Sequence, residues 1–142
     1  TIGYLTLILD VLKAMVPVIY IKFNFPELVY ISSLSAFIGH VFPIWLKFKG
    51  GKGVATLVGI ILCINYYLLI VFVIVWFFIF LLTKYSSLSS IAATLSLPII
   101  SFFFIENSNY YFFIILFILI FYTHRENIKR LINNTESKTK IY

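Results

Sequence analysis

The stretch VATLVGIILCINYYLLIVFVIVWFFIFLL, residues 54–82, runs for 29 residues without one charged side chain. As a single helix it would be about 43 Å long at 1.5 Å per residue, against a hydrocarbon core of about 30 Å. Asn65-Tyr66-Tyr67 interrupts it near the middle. Asn bonds its own backbone and so competes with helical pairing, and Tyr favours a bilayer interface. The reading is therefore a short helix over Val54–Ile64, then a second helix over Tyr67–Leu82. The first would be about 16 Å long, half a membrane deep.

Working outward, the other apolar runs are Tyr4–Ile21, Leu28–Leu46, Leu88–Ile105 and Tyr110–Tyr122. Short polar connectors separate them at Lys22–Glu27, Lys47–Gly53, Thr83–Ser87 and Glu106–Asn109. Of 142 residues, 62% are hydrophobic and only 11% charged. A soluble domain carries about a quarter charged residues, and a chain this short has too little interior to hide so much apolar surface. A soluble globular domain and a disordered chain are both excluded. The expected fold is an all-α integral membrane protein: one membrane domain over residues 1–142, with about six membrane helices or half-helices. Cys63 is a single cysteine in an apolar run, read as a small hydrophobe; no metal-ligand set is present in the sequence.

The net charge of +6 would suggest nucleic acid in a soluble chain. Here it follows the rule that basic residues collect in cytoplasmic loops, and no nucleic-acid partner is expected. With the 54–82 stretch divided, six segments alternate across the membrane. Lys47, Lys49, Lys52, Lys84, Arg125, Lys129, Arg130, Lys138 and Lys140 then share one face, nine of the eleven Lys and Arg. That face is expected to be cytoplasmic, with residues 124–142 as an interfacial tail and Thr1 on the same side. The opening stretch Gly3–Val11 lacks the basic region and small-residue cleavage site of a secretory signal. The chain starts on Thr1, and the expectation is that it is the inner part of a longer protein.

Three places break the apolar monotony. The first is Gly39-His40-Val41-Phe42-Pro43, running into Lys47-Phe48-Lys49-Gly50-Gly51-Lys52-Gly53-Val54-Ala55-Thr56. Its glycines allow close backbone approach. The loop opens straight into a helix, whose exposed N–H groups and dipole favour an anion, and Lys52 adds a point charge. It is not a Walker A loop, because Lys52 is followed by Gly53 rather than Ser or Thr. Two readings fit: a phosphate cradle, or a flexible basic turn. His40, a few residues earlier, is a candidate substrate ligand or a satisfied core histidine.

The second place is His124-Arg125-Glu126-Asn127-Ile128-Lys129-Arg130-Leu131-Ile132. As a helix it puts His124, Asn127 and Leu131 on one face and spaces Glu126 and Arg130 as an i, i+4 ion pair. An amphipathic anchor with basic residues accounts for the charges but does not require His124 and Asn127 to point together. The third place is Asp10 and Lys13, one turn apart within the first span. Intramembrane charge is costly and faces protein, either as a functional group or as a self-neutralising structural pair. Asn133-Asn134-Thr135 matches a glycosylation sequon but falls on the cytoplasmic side, so it is discounted.

The first two motifs closely resemble the second and third signatures of the bacterial acyl-phosphate:glycerol-3-phosphate acyltransferases, the PlsY family. The likeness covers essentially the whole chain; Thr83-Lys84-Tyr85-Ser86-Ser87-Leu88 and Leu9-Asp10-Val11-Leu12-Lys13 also fit. It implies a multi-pass protein of the bacterial inner membrane with its signatures facing the cytoplasm. It implies transfer of a fatty acyl group from acyl phosphate to the 1-hydroxyl of glycerol 3-phosphate, giving lysophosphatidic acid and phosphate. Carried over residue by residue, Gly50, Gly51, Lys52 and Gly53 bind phosphate, His124 and Asn127 line the active site, and Glu126 supports structural integrity. His40 is placed with the substrate-binding residues, Lys52 with the catalytic ones, and Asp10 and Lys13 with the structural ones. The family's first signature, a Ser and a Gly-Ala-Thr-Asn run ending in Arg, would lie upstream of Thr1; the expectation is a truncated chain lacking it and the first helix.

Acyl phosphate is an activated anhydride whose leaving group departs without a metal or a strong acid, so no cofactor is expected. The demands are positioning of two anionic substrates and neutralisation of developing charge. No Ser or Cys nucleophile is obvious, and the His-x4-Asp motif of other glycerolipid acyltransferases is absent, since Trp45 and Lys129 occupy the fifth position after each His. Direct attack by the glycerol hydroxyl is expected, with membrane lipid around the acyl chain. The alternatives are a small anion transporter or channel subunit, or an inactive truncated remnant. No pattern specifies an oligomeric state.

Overall fold

The computed structural model describes residues 2–48, 50–105 and 109–139. Thr1, Lys49, Glu106 and Lys140, named above, lie outside the described residues. Among the described residues seven α-helices follow one another: α1 (Ile2–Asn24), α2 (Val29–Val41), α3 (Val54–Ile64), α4 (Tyr66–Thr83), α5 (Ser86–Phe104), α6 (Tyr110–Thr123) and α7 (Arg125–Ile132). Two 3-10 turns, Pro26–Leu28 and Ile44–Leu46, flank α2. Among the described residues there are no strands. Four helical spans are long and apolar enough to cross a membrane, or five if the bent pair α6–α7 counts as one, and α3 is a shorter apolar helix. The all-helical membrane fold is as expected.

The long apolar stretch divides where the sequence places the break, and the division has a cause. Asn65 adopts an extended conformation after α3. Its side-chain oxygen accepts from the backbone N–H of Tyr67 at 2.9 Å and of Leu68 at 3.4 Å. It thus ends one helix and satisfies the orphan donors of the next. Lys22, at the end of α1, donates to the Cys63 carbonyl at 2.6 Å, placing a cation on the C-terminal turn of α3 where the helix dipole favours it.

The chain forms two compact units, Thr1–Leu69 and Ile70–Tyr142. In the first, α1 packs against α2 and α3. Gly59 is what lets α1 and α3 approach: a Cβ there would come within 2.5 Å of the Val11 carbonyl oxygen, the close contact that small residues permit between membrane helices. Val18, Phe37, Leu57, Ile60 and Ile61 are fully enclosed. In the second unit, α5 packs along α6, and α7 touches both. Leu97, Phe113, Leu116 and Ile120 fill its interior.

Helix α4 carries Val73, Ile74, Phe77, Phe78, Leu81 and Leu82 exposed; a wholly apolar face that protein leaves uncovered is one that lipid covers. Buried hydroxyls on α5 satisfy themselves within the helix: Ser89 donates to the Tyr85 carbonyl, Ser90 to Ser86 and Thr94 to Ser90, at 2.7–2.9 Å. Back-bonding of this kind lets Ser and Thr sit in an apolar environment without an unsatisfied hydroxyl. Ser90 also accepts from the Trp76 indole N–H at 3.1 Å.

Candidate functional site

The glycine loop lies wholly in the first unit and is fastened to the end of α2. Pro43 stops the helix, a 3-10 turn follows, and Lys47 and Phe48 both take positive φ, 51° and 62°. The chain then folds back. Phe48 N–H donates to the Pro43 carbonyl at 3.0 Å and Gly50 N–H to the Val41 carbonyl at 3.1 Å. Each of three glycines is demanded by what lies against it. A Cβ on Gly50 would overlap the His40 carbonyl oxygen and lie 2.6 Å from Pro43 Cδ; a Cβ on Gly51 would overlap the His40 imidazole. Gly53 has φ 84°, the left-handed region that costs other residues energy, and its Cβ would meet the Phe37 ring at 2.5 Å.

Helix α3 starts immediately afterwards. Lys52 is exposed beside that start, and the first-turn amides of Val54, Ala55 and Thr56 belong to the helix end where anions are favoured. Thr56, fully buried, carries the one buried side-chain oxygen without a hydrogen-bond partner among the described residues.

Asp10 and Lys13 form the expected pair, Lys13 Nζ donating to Asp10 Oδ1 at 2.6 Å. They are not alone: His40 Nδ1 lies 3.6 Å from the same carboxylate oxygen. The structure therefore joins three residues that the sequence placed in two separate motifs. His40 has a side chain only 8% exposed and packs against the loop.

The second unit holds the other cluster. Helices α6 and α7 meet at an angle of 62°, with His124 at the corner, and His124 and Asn127 are both buried. The imidazole Nδ1 lies 2.8 Å from the Ile120 carbonyl oxygen. A carbonyl only accepts, so Nδ1 bears the proton, and in the neutral ring Nε2 carries the lone pair. Asn127 donates through Nδ2 to Glu136 Oε1 at 2.7 Å.

Glu136 is the residue that sequence reasoning missed. Its carboxylate, 9% exposed, also accepts from Ser87 Oγ at 2.7 Å and from Arg130 Nε at 2.7 Å. Burial alone would push this carboxyl up. The hydrogen bonds from Asn127, Ser87 and Arg130, with the Arg130 charge, outweigh that and hold it down at about 2. The tail is tied to the α4–α5 connection as well, since Thr139 N–H donates to the Lys84 carbonyl at 3.0 Å.

One sequence expectation is overturned here: Glu126 and Arg130 do not pair. Arg130 turns to Glu136, and Glu126 instead lies 3.3 Å from Lys129 and 4.0 Å from Arg125. Glu126 is 60% exposed, so its ion pairs are solvent-screened and weak. The carboxylate of this segment that the fold encloses in part is Glu136. What places it is a turn: Asn134 takes φ 55°, bringing the chain back after α7 so that the N–H groups of Thr135 and Glu136 reach the Arg130 carbonyl at 2.8 and 3.2 Å. Among the described residues no group of three or more His, Cys, Asp or Glu could hold a metal ion.

Comparison with known proteins places these clusters in context. The sequence model of the family described as Glycerol-3-phosphate acyltransferase matches residues 1–134. The glycerol-3-phosphate acyltransferase of Pelagibacter ubique (strain HTCC1062) is 63% identical over 142 residues, all of this chain and 74% of the relative. That of Rhodopseudomonas palustris (strain HaA2) is 43% identical over 134 residues, 94% of this chain and 68% of the relative. Crystal structures of PlsY (YgiH), an integral membrane glycerol 3-phosphate acyltransferase, in its glycerol 3-phosphate and lysophosphatidic acid forms, both superpose with a TM-score of 0.87 at 34% identity. They match 97% of this chain, which covers 71% and 72% of theirs.

Proposed function

The chain belongs to the glycerol-3-phosphate acyltransferase family, and from that premise we propose that it acylates glycerol 3-phosphate with acyl phosphate as the donor. The products are lysophosphatidic acid and inorganic phosphate. The glycerol C1 oxygen forms an ester bond to the acyl carbon, and the anhydride C–O bond breaks. Phosphate leaves with the electron pair, and the hydroxyl proton passes to a phosphate oxygen. No acyl-enzyme forms. Such a reaction asks for placement and charge neutralisation rather than a nucleophile.

Lys52, the amides of Gly50, Gly51 and Gly53 and the start of α3 hold phosphate. His124 offers the Nε2 lone pair to a substrate hydroxyl, and Asn127 offers its amide to substrate oxygens. Glu136 fixes the Asn127 amide, and so sets which of its atoms remain for substrate. The carrying observation is the loop itself: Gly50, Gly51 and Gly53 leave no room for a Cβ, and the chain runs from them and Lys52 straight into the start of α3. Backbone amides that can be approached this closely, at the start of a helix, favour a phosphate oxygen.

The protein is multi-pass, and we place it in the bacterial inner membrane, with the glycine loop and the residue 124–139 tail facing the cytoplasm and the acyl chain among membrane lipid. The charge distribution supports this orientation. The test is Lys52→Ala in membrane-reconstituted protein. Phosphate release from acyl phosphate, dependent on glycerol 3-phosphate, should fall by about 10²-fold or more; full activity would remove Lys52 and the loop from the reaction.

A further inference from the structure

We propose that Asp10 is a positioning residue for the substrate phosphate, acting through His40 on the backbone of the glycine loop. The proposal rests on the reading of that loop as the phosphate site. An ionised carboxylate inside a membrane span is expensive and is retained where it faces another group. Lys13 neutralises Asp10 at 2.6 Å from the same helix, and self-neutralisation would require nothing more. Yet the carboxylate oxygen that Lys13 bonds also lies 3.6 Å from His40 Nδ1 on α2. The two nitrogens of one ring then point to different neighbours. Nδ1 faces the α1 carboxylate, and Nε2 abuts Gly51 so closely that a Cβ there would overlap it and sit 2.8 Å from Cε1.

The imidazole is a wedge between α1 and the loop. Its side chain is 8% exposed, so it has little room to turn. One residue before Gly51, the Gly50 N–H is bonded to the Val41 carbonyl at 3.1 Å, and one residue after it comes Lys52. A rotation of the ring away from Asp10 therefore moves the wall against which the Gly51 peptide rests, while the Gly50 anchor stays. The amides and the lysine that meet phosphate shift relative to α3. A carboxylate that orients an imidazole through one nitrogen while the other nitrogen contacts the site is a common way to fix ring placement. A phosphate held less well in both the ground state and the transition state is read as a raised KM rather than a lost kcat.

The test uses the full chain in lipid vesicles, with KM for glycerol 3-phosphate and for acyl phosphate measured separately, together with kcat and the unfolding temperature. Asp10→Asn should raise KM for one of the two phosphate substrates by about tenfold with a smaller change in kcat and no fall in unfolding temperature. The substrate whose KM moves is the one the loop holds. His40→Gln should do the same, and the double variant should be no worse than the more severe single, because residues in one chain of contact are not additive. Where Asp10→Asn leaves Lys13 unpaired and the protein fails to accumulate, the charge-neutral Asp10→Asn/Lys13→Gln variant carries the same expectation. Unchanged KM values in both Asp10 variants, or additive losses with His40→Gln, overturn the role of Asp10. Lys52→Ala separates the two ideas. If it lowers turnover or raises KM while the Asp10 variants change neither KM, only the positioning role falls; if it changes neither turnover nor KM, the phosphate reading of the loop falls with it.

Discussion

Glu136 shows how a single side chain can organise a segment. It accepts from Ser87, Asn127 and Arg130, and its carboxyl is held at about 2, well below the ordinary 4.5. A depressed folded value means that the stabilisation is fully present above the unfolded value and lost as pH falls through the folded one. Unfolding followed by intrinsic Trp fluorescence should therefore show stability that is level above about pH 4.5 and declines from there toward about pH 2. Glu136→Gln should abolish that component and cost about 1–3 kcal/mol at neutral pH, since an amide presents N–H groups to donors that need an acceptor. His124 and Asn127 were legible from spacing, because residues three apart on a helix share a face. Glu136 was not, because its bond to Ser87 spans 49 positions and depends on a left-handed turn at Asn134. Local spacing favoured Glu126–Arg130, but a part-buried acceptor with three donors wins over an exposed, screened pair.

At the level of elements, the break at Asn65 is where sequence and structure agree most fully, and the reason is local. An Asn oxygen can satisfy the first amides of a helix that starts beside it, and here it does so for Tyr67 and Leu68. Asn65→Ala should cost about 1 kcal/mol, read as a lowered unfolding temperature in detergent, whereas Asn65→Asp, which keeps the acceptor, should retain most of it. The glycine loop was legible as a place but not as a shape. Its three steric demands come from Phe37, His40 and Pro43, all on or just after α2, and no spacing rule reports which neighbour lies over which glycine. The Asp10–His40 approach was hidden for the same reason: the two residues are 30 positions apart and meet only when α1 packs on α2.

For the whole molecule, the six apolar helices α1 to α6 follow from the hydrophobic runs, and the orientation proposed follows from the distribution of Lys and Arg. In a Cys63→Ala background, a cysteine at Lys84 should react with a membrane-impermeant thiol reagent only from the cytoplasmic side, and one at Glu27 only from the opposite side. The reverse pattern would invert the topology. Acyl transfer from acyl phosphate is tested most directly by the stoichiometry of turnover, with purified protein in lipid vesicles supplied with acyl phosphate and glycerol 3-phosphate. One inorganic phosphate should be released per lysophosphatidic acid formed, dependent on glycerol 3-phosphate and lost in Lys52→Ala. Phosphate release without lysophosphatidic acid, or equal turnover in the Lys52 variant, would contradict it.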